Sequence, residues 1–237
     1  MKNLWSSAVA PSCLAATAVV MASSVFAPAN AASLSFIIEE FTGSDARVQI
    51  TLDDQIAGSG KVQFKVDYLP TGSNTIADLR GLFFNILDDS LLKDLKVTGA
   101  NITASKFGPA GTIQSVGSSS NNLNGGGGKF DAGVEIGQQG IGGGDDFQTT
   151  TFTLYHTSKA LTLEQFSQQN FGARLMSVGS QNGSRNGSSK LKGQAPYYTP
   201  PPPPPKKVPE PTAIAALGLF ALSALKLSKK TENIYIH

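Results

Sequence analysis

Two neighbouring stretches of this chain alternate strictly between apolar and polar residues. Val48, Ile50 and Leu52 are separated by Gln49 and Thr51, and Val62, Phe64, Val66 and Tyr68 by Gln63, Lys65 and Asp67. A period of two places every apolar side chain on one face of an extended segment, which is the pattern of a strand buried on one side only. Asp53 to Lys61, with Gly58-Ser59-Gly60 inside it, predicts the turn between them.

The same logic extends along the chain. Leu82-Phe83-Phe84-Asn85-Ile86 is apolar nearly throughout and predicts a strand buried on both faces. Ile102–Phe107, Phe130–Ile136, Thr149–Tyr155 and Ala173–Val178 supply further short strands between glycine- and asparagine-rich clusters. Leu161 to Gln169 predicts the one short helix, with Thr162 capping and Gln165 three residues on. The expected fold is all-β, an antiparallel β-sandwich of jelly-roll type carrying that helix. Two polar loops, Gly117–Gly128 and Gln181–Ser189, read as solvated connections or as a ligand-holding rim.

The ends have a different character. Lys2, an apolar stretch from Leu14 to Phe26, and the small-x-small exit Ala29-Asn30-Ala31 predict a signal peptide over residues 1–31. A signal peptidase would cut between Ala31 and Ala32, with Ala27-Pro28-Ala29 as a competing exit. Residues 32–195 are the expected β domain and 196–207 a linker whose Pro200–Pro205 run forms a stiff polyproline II rod of about 3 Å per residue. Thr212 to Leu225 carries no charge and is followed by Lys226, Lys229 and Lys230. As a helix its 14 residues reach about 21 Å, short of a hydrocarbon core of about 30 Å unless the lysines snorkel and the apolar flanks contribute. A plain C-terminal membrane anchor is one reading of this segment.

Val208-Pro209-Glu210-Pro211, then Thr212-Ala213-Ile214-Ala215-Ala216-Leu217-Gly218-Leu219-Phe220-Ala221-Leu222 and a basic tail, resembles a PEP-CTERM sorting signal. The resemblance implies a sorting segment with a transmembrane helix over 208–230 and a tail over 231–237. It implies that an exosortase recognises Pro209, Glu210 and Pro211 and cuts near them. The protein would be membrane-associated before processing and then pass to the cell surface or extracellular matrix. Within the body, Ala77-Asp78-Leu79-Arg80-Gly81-Leu82-Phe83-Phe84-Asn85, Phe130-Asp131-Ala132-Gly133-Val134-Glu135-Ile136-Gly137 and Phe171-Gly172-Ala173-Arg174-Leu175 with Ser188-Ser189-Lys190-Leu191 are similar to segments of exported cyanobacterial PEP-CTERM proteins. That likeness implies no catalytic residue.

Composition narrows the chemistry. Over Ala32 to Thr199 there are 13 Lys and Arg against 15 Asp and Glu, so the basic balance of the whole chain comes from its ends. With no basic stripe interleaved with aromatics, nucleic acid is not an expected partner. Cys13, in the leader, is the only cysteine, so the mature chain has no thiol for a disulfide, nucleophile or metal. No cofactor is expected. Asp53-Asp54, Asp88-Asp89 and Asp145-Asp146 lie in predicted turns. The third follows three glycines and is the best candidate for a structural calcium, although neither the EF-hand nor the glycine-rich calcium repeat is present.

An enzyme needs a nucleophile, an acid–base pair or a metal. His156 is the only histidine outside the tail, and neither Gly-x-Ser-x-Gly nor a phosphate loop occurs. Asp131, Glu135 and Asp145 are the carboxylates a glycosidase would draw on. Tyr68, Tyr155, Tyr197 and Tyr198 are the rings a glycan-binding face would use; Trp5 in the leader is the only tryptophan. The expectation is therefore a non-enzymatic surface or matrix protein with a structural or binding β domain. A glycan-binding module, with exopolysaccharide as its partner and a possible structural calcium, is the first alternative, and a secreted hydrolase the second.

Overall fold

The computed structural model describes residues 33–109, 111–118, 120–138 and 145–202. Ten strands form one fully antiparallel sheet: β1 Ser33–Gly43, β2 Arg47–Asp53, β3 Lys61–Leu69, β4 Ile76–Phe84, β5 Leu95–Thr98, β6 Ile102–Phe107, β7 Ala132–Ile136, β8 Thr149–His156, β9 Asn170–Gly179 and β10 Gly187–Gln194. Their order is β5-β8-β3-β2-β1-β10-β9-β4-β7-β6. The sheet curls into a nearly closed barrel, or sandwich, of two five-stranded halves. The β1–β10 ladder joins the halves on one side, and the unpaired edges β5 and β6 face each other across an open seam. The expected all-β antiparallel class is what the chain adopts.

The alternating stretches pair as expected. Val48 lies opposite Tyr68, Ile50 opposite Val66 and Leu52 opposite Phe64, and all six enter the main core. There Phe64 stacks on Phe152 at 4.8 Å and meets Phe84 from the other half at 5.1 Å. Phe171 packs against Phe84 and Phe36. Because β1 and β10 are antiparallel neighbours, with Glu39 opposite Lys192 and Gly43 opposite Ser189, the first and last strands have their outer ends at the same pole. Ala195 and Tyr198 continue past β10 into the core at that pole.

Several expectations need correction. The predicted helix Leu161–Gln169 is only a 3-10 turn, Leu163–Phe166, and Thr162 makes no side-chain cap bond. Its residues are held instead by tertiary bonds: Leu161 N–H donates to Gly60 and Gln168 N–H to Pro196, with Gln168 at a positive φ of 57°. The turn seats Phe166 against Phe64 at 5.3 Å and plugs the pole where the ends emerge. A second 3-10 helix, Asp89–Asp94, was not expected; Asp88 caps it by accepting from Ser90 N–H. The loop read over Gln181–Ser189 gives its last three residues to β10.

The Gly117–Gly128 stretch is only partly the solvated connection expected: Gly117, Asn124–Gly126 and Gly128 are exposed, but Asn121, Leu123 and Gly127 are buried. The long link from β6 to β7 lies across the outer face of β4 and β7, where Ile113, Val116, Leu123 and Phe130 bury Phe83 in a small second core. The ammoniums of Lys190 and Lys192 staple it down, donating to Asn122 Oδ1, Asn124 O and Gly126 O at 2.6–3.2 Å. Burial, and next the Arg174 guanidinium, hold the Lys190 ammonium below its ordinary value. Gly172 makes the close approach possible: a Cβ there would meet Leu123 Cδ1, Phe130 Cζ at 2.9 Å and the Leu191 carbonyl at 3.1 Å. Gly172→Ala is therefore expected to cost about 1–3 kcal/mol. Urea unfolding would measure the loss, and faster hydrogen exchange over 111–118 and 120–130 would place it in this loop.

Candidate functional site

The chain's most unusual interior feature is a charge cluster on the outer face of β4. Asp78 and Arg80 stand two residues apart, so they project to the same side of the strand. Both are fully buried, as are the Asn121 side chain and nearly all of Glu135. Arg80 Nη1 donates to the Ile136 carbonyl at 2.7 Å, Nη2 lies 3.5 Å from Glu135 Oε1, and Nε lies 3.8 Å from Asp78 Oδ2. Asn121 donates to the Arg80 carbonyl at 2.7 Å, tying the covering loop to the strand that carries the charge.

Glu135 is the hub of the arrangement. Oε1 accepts from Ser118 N–H and Ser118 Oγ, each at 3.0 Å, and Oε2 accepts from Thr103 Oγ1 at 3.0 Å. One carboxylate thus joins β4, β6, β7 and the covering loop. Gly117 leaves room for it: its φ is +60°, and a Cβ would run into the carboxylate. Asp78 is the opposite case. Neither of its oxygens makes a hydrogen bond of good geometry. Burial pushes its carboxyl up to about 7, against the opposing pull of Arg80 and a weaker downward pull from the nearby Phe147 backbone N–H. Asp146 and Arg185, ion-paired at 2.7 Å, act on it from the surface in opposite directions.

The structure places the sequence-predicted carboxylates in separate structural tasks. Asp131 accepts Ile86 N–H at 3.1 Å and Gly111 N–H at 2.8 Å. Asp145 accepts Gln138 N–H at 3.0 Å. Asp131 and Glu135 are four residues apart along extended chain, about 13 Å. Their backbones are thus far apart, and the two carboxylates bond to different partners, Ile86 and Gly111 for Asp131, Ser118 and Thr103 for Glu135. His156 Nδ1 accepts the N–H groups of Ser158 and Lys159 at 3.1 and 3.0 Å, which holds the turn after β8.

Two of the aspartate pairs serve local geometry and the third a tertiary ion pair. Asp53 Oδ1 accepts Gln55 and Ile56 N–H. Hydrogen bonds from Ser90 hold the Asp88 carboxyl below its ordinary value. Asp146 is committed to Arg185. Among the described residues no three His, Cys, Asp or Glu side chains come together as a metal-binding group. Of the tyrosines, Tyr68 and Tyr198 are buried in the core, so neither is a sugar platform; Tyr68 Oη donates to Asn74 O at 2.8 Å. Tyr197 is exposed, and Tyr155 lies half-buried on the outer face of β8.

Sequence reasoning missed Arg80 and Asp78 as members of a site. The available signal was two opposite charges at i and i+2 inside Ala77–Phe84, an otherwise apolar stretch. Ala31, Ala32, Pro209, Glu210 and Pro211 lie outside the described residues, as does Thr212–Leu225. Among the described residues no helix is long and apolar enough to cross a membrane. No protein-family model matches the chain, and neither a curated protein nor a solved structure matches it.

Proposed function

We propose that this is an exported cell-surface or extracellular-matrix protein whose jelly-roll-like barrel is presented from one pole by a proline stalk. In this reading a signal peptidase frees the N-terminus at Ala31-Ala32. The Thr212–Leu225 helix holds the chain in the membrane until an exosortase acts at Pro209-Glu210-Pro211. The barrel itself is structural or adhesive, not catalytic.

The observation that carries the reading is the geometry of the two ends. The first strand begins at Ser33, one residue past the proposed cut, and packing ends with Tyr198, just before the Pro200 run. Both ends emerge at one pole because β1 and β10 are antiparallel neighbours. Cutting on either side would remove no residue of the ten described strands, and one stalk would leave the rest of the barrel free.

The test is the intact mass and cell fractionation of the native protein beside a variant with Pro209, Glu210 and Pro211 replaced by alanine. The expected result is a wild-type chain starting at Ala32 and ending near Val208 outside the membrane, with the variant kept uncut in it. A full-length tail in both would replace sorting with permanent anchoring.

A further inference from the structure

The outer face of β3, β8 and β5 carries a row that the surface-protein reading leaves unused. The register sets Lys61 beside Tyr155 and Tyr155 beside Lys96. Two ladders of about 4.8 Å each put the two lysine backbones roughly 10 Å apart, with the tyrosine between them. Both lysines are exposed, and Lys61 Nζ stands 5.7 Å from the centre of the Tyr155 ring. The next row, Gln63, Thr153 and Thr98, is uncharged and rich in hydroxyl and amide groups. Beyond it the Lys65 ammonium sits between Thr151 and Asp67, bonded to Asp67 at 2.8 Å.

This row runs into the open seam. Past Lys96 the ladder stops, and a cavity of about 570 Å³ opens between β5 with its 3-10 helix and β6. Lys93, Lys96, Ser105, Phe107 and Pro109 line it, and among the described residues Asp89 is the one acidic residue in the lining. The body as a whole is slightly acidic, so this local excess of cations is not part of a general basic surface. Charge complementarity therefore points to an anionic partner. The hydroxyl-bearing outer face and the half-buried Tyr155 ring fit a sugar polymer, and offer no apolar anchor pocket of the kind a protein partner would need.

We propose that Lys61, Tyr155 and Lys96, continued by Lys93 in the seam cavity, bind an acidic, uronate-bearing polysaccharide. Tyr155 supplies apolar ring surface to one sugar beside the Lys61 ammonium that lies over the ring, and the two lysines pair with carboxylates on either side. The proposal extends the surface-protein reading by naming the class of matrix component held. Its test does not depend on sorting, so either idea can fail alone.

The experiment is affinity electrophoresis of the full chain, purified in detergent, through gels containing polygalacturonate, neutral dextran or duplex DNA. Retardation is expected in polygalacturonate only, weakening as salt rises. Lys61→Gln with Lys96→Gln, and separately Tyr155→Ala, are each expected to weaken it at least tenfold. Tyr155→Phe, and Lys206→Gln with Lys207→Gln in the stalk, should leave it unchanged. Because both lysines are exposed and Tyr155 lies on the outer face of β8, unchanged thermal unfolding would show that these variants fold. No retardation by polygalacturonate, equal retardation by DNA, or undiminished binding by the folded Lys61/Lys96 variant would overturn the proposal.

Discussion

Replacing Glu135 by alanine is expected to cost about 3–5 kcal/mol of unfolding free energy, a large fraction of what a domain of this size has. The reason is what remains behind. Arg80 is fully buried, and its guanidinium would keep only the Ile136 carbonyl and a poorly aligned Asp78. Ser118 and Thr103 would lose their shared acceptor as well. Glu135→Gln keeps a carbonyl oxygen for some of those donors and should cost clearly less. Pairing Glu135→Ala with Arg80→Met removes the stranded charge and should recover much of the loss. Urea unfolding of the three variants decides the matter. A Glu135→Ala chain within about 1 kcal/mol of the parent would mean that the cluster is far better hydrated than its burial indicates.

Asp78 produces the second large effect, and its sign is unusual. Its native carboxyl titrates near 7, against an ordinary value of 3.8. Between these values the native state keeps a proton that the unfolded chain has released, so stability falls as pH rises from about 4 to about 7 and then levels off. At about 1.4 kcal/mol per unit, and with screening by solvent reducing the full value, the interval amounts to about 2–4 kcal/mol. Asp78→Asn should flatten this slope and make the protein more stable than the parent at pH 8. Asp88, held low by Ser90, acts in the opposite direction and only below about pH 4, so the windows separate. Denaturant midpoints measured from pH 4.5 to 8.5 test the assignment. A parent curve that is flat between pH 5 and 7, or an Asp78→Asn curve that keeps the slope, would remove Asp78 as its source.

The parts of the fold legible in the sequence were those where one sheet face is dry and the other wet. The paired stretches around Val48–Leu52 and Val62–Tyr68 declare themselves because their outer face meets water. Strand β10 does not. In Gly-Ser-Ser-Lys-Leu-Lys-Gly-Gln only Leu191 is apolar, and the strand exists because β1 and β9 flank it and a loop covers its outer face. Strand β4 is obscured for the opposite reason: both faces are buried, so alternation vanishes and its start at Ile76 goes unmarked.

The candidate site follows the same division. Glu135 stood out as a carboxylate, but its work as a fastener depends on Ser118 and Arg80, 17 and 55 positions away in the chain. Such meetings are made by topology, and no local pattern announces them. Asp53 and Asp88 were legible as turn residues because their hydrogen bonds reach only two or three residues along the chain, whereas Asp145 and Asp146 bond to Gln138 and Arg185, 7 and 39 positions away.

The ladder between β1 and β10 also governs when the protein can fold. Of the described strands, the one made first has its second neighbour in the one made last, so the two halves of the sheet cannot join until residue 194 is free. A contact of that span is entropically costly to form and slow to find. A chain still threaded through a translocation pore would lack it, and would remain pliable until its final strand cleared the exit.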